Sequence, residues 1–394
     1  MFDKLNILLY NKIQGRFLHK MFNLFGKKNN TVIDIGTEKI MVAVGNANQG
    51  GDITIIGSGE AEYAGYLDGE FLEPDKLGVS IRQAIKLAER NSHTTIKEVY
   101  VGVPAGFCIA VEKEVVQNKN KMRINRAVLE NLIDLGNDFY RFSAHKIISV
   151  DPISYKLDDG TVTTNPLGMV TSSIRARLSY VLAEESFLDM IEDILNTIDI
   201  DVVGYICTPV AEANYLLKDK ERVEDIIIDC GHLSTSVAIV KGEGLLALKE
   251  FSSGGGFITN DLMKWLKINY KLADMLKRKI VLSIKPDENE MYEVKAGDSS
   301  VQSISAVTAN KIVVYEVEKI AKMCINCLKR HSNLVTNDMN IYLTGGGLSY
   351  IKGAKDILAN EFSKDVTILA PDIQGLNKPH YSSVLSLLYQ ASQH

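Results

Sequence analysis

The chain has 394 residues and a formal net charge of −5 at pH 7, with 46% hydrophobic and 24% charged residues. This is the composition of a folded protein with length for two or three domains, which sets aside a mainly disordered chain. No uninterrupted apolar run of ~18 residues marks a membrane-spanning helix, and the mild acidity gives no general case for nucleic acid as a partner.

Charge is unevenly spread. Lys4, Lys12, Arg16, Lys20, Lys27 and Lys28 face Asp3 alone, so residues 1–30 carry +5 and the rest −10. Within this leader Phe2, Leu5, Leu9, Ile13, Phe17 and Met21 recur at helical spacing. A basic amphipathic helix of this kind lies in the interface of an anionic membrane. A partner-binding helix, a disordered leader and a start at Met21 stay open. A secretory signal fits poorly, because basic residues interrupt the apolar stretch.

Residues 31–61 predict a β-meander split by glycine-rich turns, 74–92 a helix with Leu77, Ile81 and Ile85 on one face, and 98–105 a strand. From 97 to 180 short strands surround one helix-like stretch, the pattern of a small α+β module. Residues 184–200 predict an amphipathic helix, and 202–217 a strand, a proline break and a helix. Residues 225–256 then repeat the opening meander. Next come helices over 257–281, a polar loop or hairpin over 285–300, a long helix near 305–331, a strand–glycine–helix segment over 340–362 and a short terminal helix.

Five scattered cysteines, an odd count, do not make a disulfide framework and suit a reducing cytosol. Cys324 and Cys327, with His331 beyond them, are two thiols of a helix face and read as core rather than as half of a zinc site.

The chemistry concentrates in two matching strand ends. Asp34-Ile35-Gly36-Thr37 closes the first strand of the first meander, and Asp229-Cys230-Gly231 with Ser234 and Thr235 closes the first strand of the second. Backbone amides of such turns cradle phosphate, and the carboxylates suit Mg²⁺, which prefers oxygen ligands and keeps much of its water. One such turn is common in hairpins. Two copies about 195 residues apart indicate an internal duplication with a cleft between the halves. Gly345, Gly346 and Gly347 follow a strand and are expected to open a helix near Ser349, whose N-terminus would favour anions. No GxxxxGK[ST] or strand-borne GxGxxG occurs, nor a GxSxG elbow or HExxH pair.

VIDIGTEKI (32–40), VYVGVPA (99–105), HKIISVDPISYKLDDG with NPLGM (145–169), DIIIDCGHLSTSVAIVKGEGL (225–245), GGGFITNDL with LADMLK (254–277) and IYLTGGGLSYIKG (341–353) together resemble FtsA, the actin-like family of bacterial cell division, across nearly all of 31–390. The resemblance implies an α/β, actin-like (ribonuclease-H-like) two-domain ATPase fold with an inserted small α+β subdomain. Its expected parts are a basic leader 1–30, a first core at 31–96 and 181–204, the insert at 97–180, a second core at 205–256 and 312–394, and a helical subdomain at 257–311. It also implies ATP and Mg²⁺ as cofactors. Asp34, Gly36, Thr37 and Lys39 match the first phosphate motif, Asp229, Gly231, Ser234 and Thr235 the second, Gly254, Gly255, Gly256 and Asn260 the glycine turn and helix beside the nucleotide, and Asp274 and Lys277 positions near the adenosine. Gly345, Gly346 and Gly347 match the adenosine motif. Asp34 and Asp229 are the expected metal-side carboxylates.

The second motif departs from the family's DIGGGTTD form: His232 and Leu233 replace glycines and Ser236 an aspartate. This predicts weakened handling of the terminal phosphate and weak or absent hydrolysis, since no residue is an obvious water-positioning base. His232 is expected to point to solvent. FtsA proteins usually carry a C-terminal amphipathic membrane helix; none is seen before His394, so the leader is the expected substitute. The implied role is a scaffold at the division site, on the inner face of the cell membrane, that links an FtsZ-like tubulin homologue to the membrane and assembles with itself. Rivals are an actin-like scaffold of the pilus-assembly PilM type and a small-molecule kinase of the same superfamily.

Overall fold

The computed structural model describes residues 29–48, 50–138, 144–220, 224–295 and 301–393. The membrane-facing stripe expected at Phe2, Leu5, Leu9, Ile13, Phe17 and Met21 lies outside them.

Strand β1 (Asn30–Ile35) is apolar on both faces and is the middle strand of its sheet. Strands β2 (Lys39–Ala47) and β3 (Ile53–Glu62) fold back from it as an antiparallel meander, with Asp34 opposite Met41. A short pair, β4 (Tyr66–Leu67) and β5 (Glu70–Phe71), precedes helix α1 (Pro74–Ser92), whose first-turn proline has its φ preset for a helix. Strand β6 (Glu98–Val103) then runs parallel to β1. The insert expected from residue 97 therefore begins later, because β6 is itself a strand of the first sheet.

The insert is a separate antiparallel sheet in the order β7-β10-β8-β9, made by β7 (Cys108–Arg123), β8 (His145–Leu157), β9 (Val162–Thr163) and β10 (Val170–Glu184). Helix α2 (Arg126–Gly136), capped by the Asn125 side chain accepting from Val128 N–H, packs on it. Leu129, Leu132, Ile174, Leu178 and Tyr180 form its own core. Helix α3 (Glu185–Asn196) leads to β11 (Asp201–Cys207), which completes the first sheet beside β6. Helix α4 (Thr208–Leu216) follows at once, with Pro209 in its first turn.

The second lobe repeats the plan. Strands β12 (Asp225–Cys230), β13 (Thr235–Lys241) and β14 (Gly244–Phe251) form the meander. Helices α5 (Gly255–Leu266) and α6 (Tyr270–Lys279), the hairpin β15 (Met291–Val294)–β16 (Gln302–Ser305) and helix α7 (Ala306–Lys329) come next, so the region expected to be helical also holds a hairpin. Strand β17 (Asn340–Thr344) runs parallel to β12, and helix α8 (Ala354–Phe362) leads to β18 (Val366–Ile368). The two sheets share one order, β11-β6-β1-β2-β3 against β18-β17-β12-β13-β14.

Helix α9 (Ser382–Ala391) crosses back to the first lobe. Val384, Leu387 and Leu388 bury against Val32, Met41 and Ala43, beside Ala211 and Tyr215 of α4. Residues 205–217 and 382–391 thus cover the first sheet instead of joining the second core. Amphipathic spacing shows that a helix has a buried face, not which sheet it covers. A further core cluster runs through both lobes, from Ile33 and Val101 to Ala238 and Leu248. Ser179 of the insert ties to β14, its Oγ donating to Leu245 O and accepting from Leu245 N–H. Among the described residues no helix is long and apolar enough to cross a membrane.

Candidate functional site

Asp34 and Asp229 are each the fifth residue of a six-residue strand. In each case the strand ends in a tight turn closed by glycine: Gly36 N–H donates to Lys39 O at 3.1 Å, and Gly231 N–H to Ser234 O at 2.9 Å. The duplication so delivers two carboxylates from matching positions of two lobes. Burial, and then the Asp229 charge, push Asp34 up to about 7, with Lys39 opposing. Burial, and then the Glu250 charge, push Asp229 up to about 6. Each proton held this way reports a site short of positive charge.

A third carboxyl joins them that the motif pattern did not single out. Glu212 of α4 is 1% exposed, and burial together with the Asp229 and Asp34 charges holds it well above the usual carboxylate range. Its Oε1 has no hydrogen-bond partner, an arrangement that costs free energy unless something else occupies the site. The Ser383 hydroxyl of α9 stands near both Asp34 and Glu212 and partly offsets the rise of each, so the helix pair α4–α9 supplies the floor of the cleft. The available signal was one acid inside the otherwise apolar stretch TPVAEANYLL.

Two glycine segments close around residues 230–232. Gly347 N–H donates to Cys230 O at 2.7 Å, Gly255 N–H to Gly231 O at 3.0 Å, and Gly256 N–H to His232 O at 2.7 Å. Gly345 has φ +84 and lies against the Asp229 carboxylate, so a side chain there would be strained and would strike Oδ1. Gly346 is exposed at the rim. The glycines do not open a helix near Ser349: residues 345–353 are turns, and α8 begins at Ala354. The helix whose N-terminus meets the cleft is α5, starting at Gly255.

Other expected residues divide. Thr37 and Ser234 stand on the turn tips, and Ser234 lies near enough to Glu250 to oppose the rise of its pKa on burial. Thr235 does not reach the cleft: it is 0% exposed, and its hydroxyl donates to Ser253 O at 2.7 Å. Lys277 is not on a solvated helix face. It donates to Gly255 O at 3.0 Å and Thr259 Oγ1 at 2.8 Å and pairs with Asp274 at 3.2 Å, which ties α6 to the start of α5. Asn260 is exposed on α5. Lys39 pairs with Glu60 at 3.2 Å. His232 turns inward, with its side chain 18% exposed and Nδ1 3.4 Å from Glu38; burial lowers its pKa. The expectation that it faces solvent is corrected, because Gly256 leaves room for the ring.

The amides of Thr37, Glu38 and His232 make no hydrogen bond within the chain among the described residues. Free turn amides beside an α-helix N-terminus can hold an anion. No three His, Cys, Asp or Glu side chains among the described residues stand close enough to ligate one ion.

A family model described as "Cell division protein FtsA" matches residues 226–386. Similar relatives include "Cell division protein FtsA" of Streptococcus pneumoniae serotype 2, 24% identical over 369 residues and covering 92% of this chain and 80% of that protein. The protein of the same name from Bacillus subtilis strain 168 is 22% identical over 370 residues, covering 90% and 82%. Among solved structures, the PilM–PilN type IV pilus biogenesis complex aligns with a TM-score of 0.63 at 12% identity, covering 93% of this chain and 99% of that one. MreB5 of Spiroplasma citri bound to AMPPNP aligns at 0.54 and 12%, covering 92% and 95%. The fold is the actin-like fold, and the chain is similar to the FtsA proteins over most of its length.

Proposed function

We propose that this divergent FtsA relative binds an adenine nucleotide with Mg²⁺ between its lobes and serves as a cell-division scaffold whose closure depends on that ligand. The observation that carries this is the convergence of Asp34 and Asp229 from duplicated strand ends onto one cleft, walled by residues 254–256 and 345–347. Asp34 and Asp229 would hold the hydrated cation, with Glu212 below them. The cation, when bound, offsets the charge of these carboxylates and of the phosphates. The free amides of Thr37, Glu38 and His232 hold phosphate oxygens, and the exposed Gly346 allows close approach of the sugar and base.

The scaffold role links an FtsZ-like tubulin homologue to the membrane and includes self-assembly. Similarity to FtsA proteins over about 90% of the chain supports it. Membrane contact through the basic leader belongs to the same proposal. Co-sedimentation of the full chain with anionic liposomes and FtsZ tests both halves. Leu9→Glu with Ile13→Glu should abolish lipid pelleting and leave FtsZ binding intact. Unchanged pelleting would remove the leader from the account, and failure to bind FtsZ would remove the tether.

A further inference from the structure

The insert belongs to the first lobe by chain and to the second by packing. It leaves the first lobe through Gly106 and Cys108 and returns through Glu184 and helix α3. Cys108 and Ala183, at these roots, are buried in the apolar cluster that the lobes share. Its seat is strand β14 of the second lobe. The Ser179 hydroxyl holds both the N–H and the carbonyl of Leu245, at 3.0 and 2.8 Å. Glu243 N–H, in the turn just before, donates to Pro152 O at 3.0 Å. Ile153 is 1% exposed and packs in the core of the second lobe, not in that of the insert. Gly242 has φ +60, and a Cβ there would stand 2.4 Å from Ile153 O, so only glycine lets the turn come this close.

The other end of β14 meets the first lobe. The Tyr66 hydroxyl donates to Glu250 Oε1 at 3.0 Å. The Gly106 backbone lies against the same oxygen, which a Cβ there would approach to 2.6 Å. Across the second sheet Glu250 stands opposite Ser236, and Ser236 opposite Asp229. One strand of eight residues so has the insert on its second residue and, at its seventh, a first-lobe contact in line with a cleft carboxylate. Roughly 17 Å of paired strand separates the two.

Three bodies are joined in a ring. The insert meets the first lobe through the chain and the second through Leu245 and Ile153, and the lobes meet at Glu250 and in the shared cluster. Packed joints of this kind shift together or break, since close-packed interfaces do not deform freely. We propose that β14 is a relay that ties the orientation of the insert to the closure of the cleft: a change at the Glu250 contact is felt at the Leu245 seat, and the insert turns with the second lobe. This goes beyond the nucleotide reading of the cleft and stands on contacts within the chain. Closure, whatever drives it, so gains an output on a module outside the two lobes.

Amide exchange of the full chain, read by mass spectrometry over residues 242–246, tests the relay, because the Glu243 and Leu245 amide protons both end on acceptors in the insert. Tyr66→Phe removes only the first-lobe donor to Glu250. It should speed exchange of that segment about threefold or more, while helix α2 of the insert keeps its wild-type rate. Mg·ADP should slow the same segment in the wild-type chain and leave it unchanged in Tyr66→Phe. Wild-type rates over 242–246 in Tyr66→Phe, or a rise shared equally by α2, would overturn the relay. So would a segment indifferent to Mg·ADP that calorimetric titration shows to be bound. If titration shows no Mg·ADP binding, the nucleotide reading falls and the Tyr66→Phe comparison alone decides the relay.

Discussion

Two carboxylates held at raised pKa make the cleft sensitive to pH in a direction that can be worked out. Asp34 moves from an ordinary 3.8 to about 7, and Asp229 to about 6. Between these values the folded chain keeps protons that the unfolded chain has released. This contribution to stability is complete below the unfolded pKa and is lost as pH rises through the folded one. In metal-free buffer Asp34→Asn should therefore gain in Tm over the wild-type chain as pH climbs from about 5 to about 8. A constant difference across that range would show that Asp34 is not desolvated as described. Gly345→Ala should destabilise by about 1–3 kcal/mol, from a strained φ and the collision with Asp229; thermal unfolding reads it directly. At this scale the sequence was partly legible. The paired Asp-x-Gly turns singled out Asp34 and Asp229 because a strand, an acid and a glycine turn form a local pattern. Glu212 escaped, because its role depends on a helix packed from elsewhere, and Thr235 misled, because a hydroxyl next to a motif can turn inward.

Among the elements, the pair α4–α9 carries most of the consequence. Each helix follows a lobe's last strand, and both cover the first sheet. They bring Glu212 and Ser383 to the cleft floor, so motion between lobes must bend or shift them. Leu387, at 0% exposure, packs in this cluster. Leu387→Ala should cost about 2–5 kcal/mol and lower nucleotide affinity as well, measured by denaturant unfolding and titration. The start of α5 has its own brace. Lys277→Met should cost about 1–3 kcal/mol by freeing Gly255 O and Thr259, with the loss centred on the α5 N-terminus in amide exchange. Element types were well read from periodicity, including α1 over residues 74–92. Their allegiance was not: β6, α4 and α9 joined the first sheet because of long-range pairing and packing, which no local pattern encodes. The glycines of 345–347 read as a helix start, since the turn that delays α8 to Ala354 has no distinctive composition.

For the molecule as a whole, the duplication is the main fact. Two sheets with one strand order, joined by a shared apolar cluster, place two equivalent strand ends opposite each other. The repeat was visible in the sequence because both meanders kept the same punctuation. The insert was visible as a change of texture, although its sheet starts at Cys108 and ends at Glu184 rather than at 97 and 180. A cleft built this way gathers carboxyls at its floor and backbone donors at its walls, the arrangement on which the proposed nucleotide site rests. Titration of Mg·ADP into the wild-type chain and into Asp34→Ala tests that claim most directly. One saturable site is expected for the wild type, weakened at least about tenfold by the substitution. Equal affinity in the two chains would contradict the assignment of the cleft.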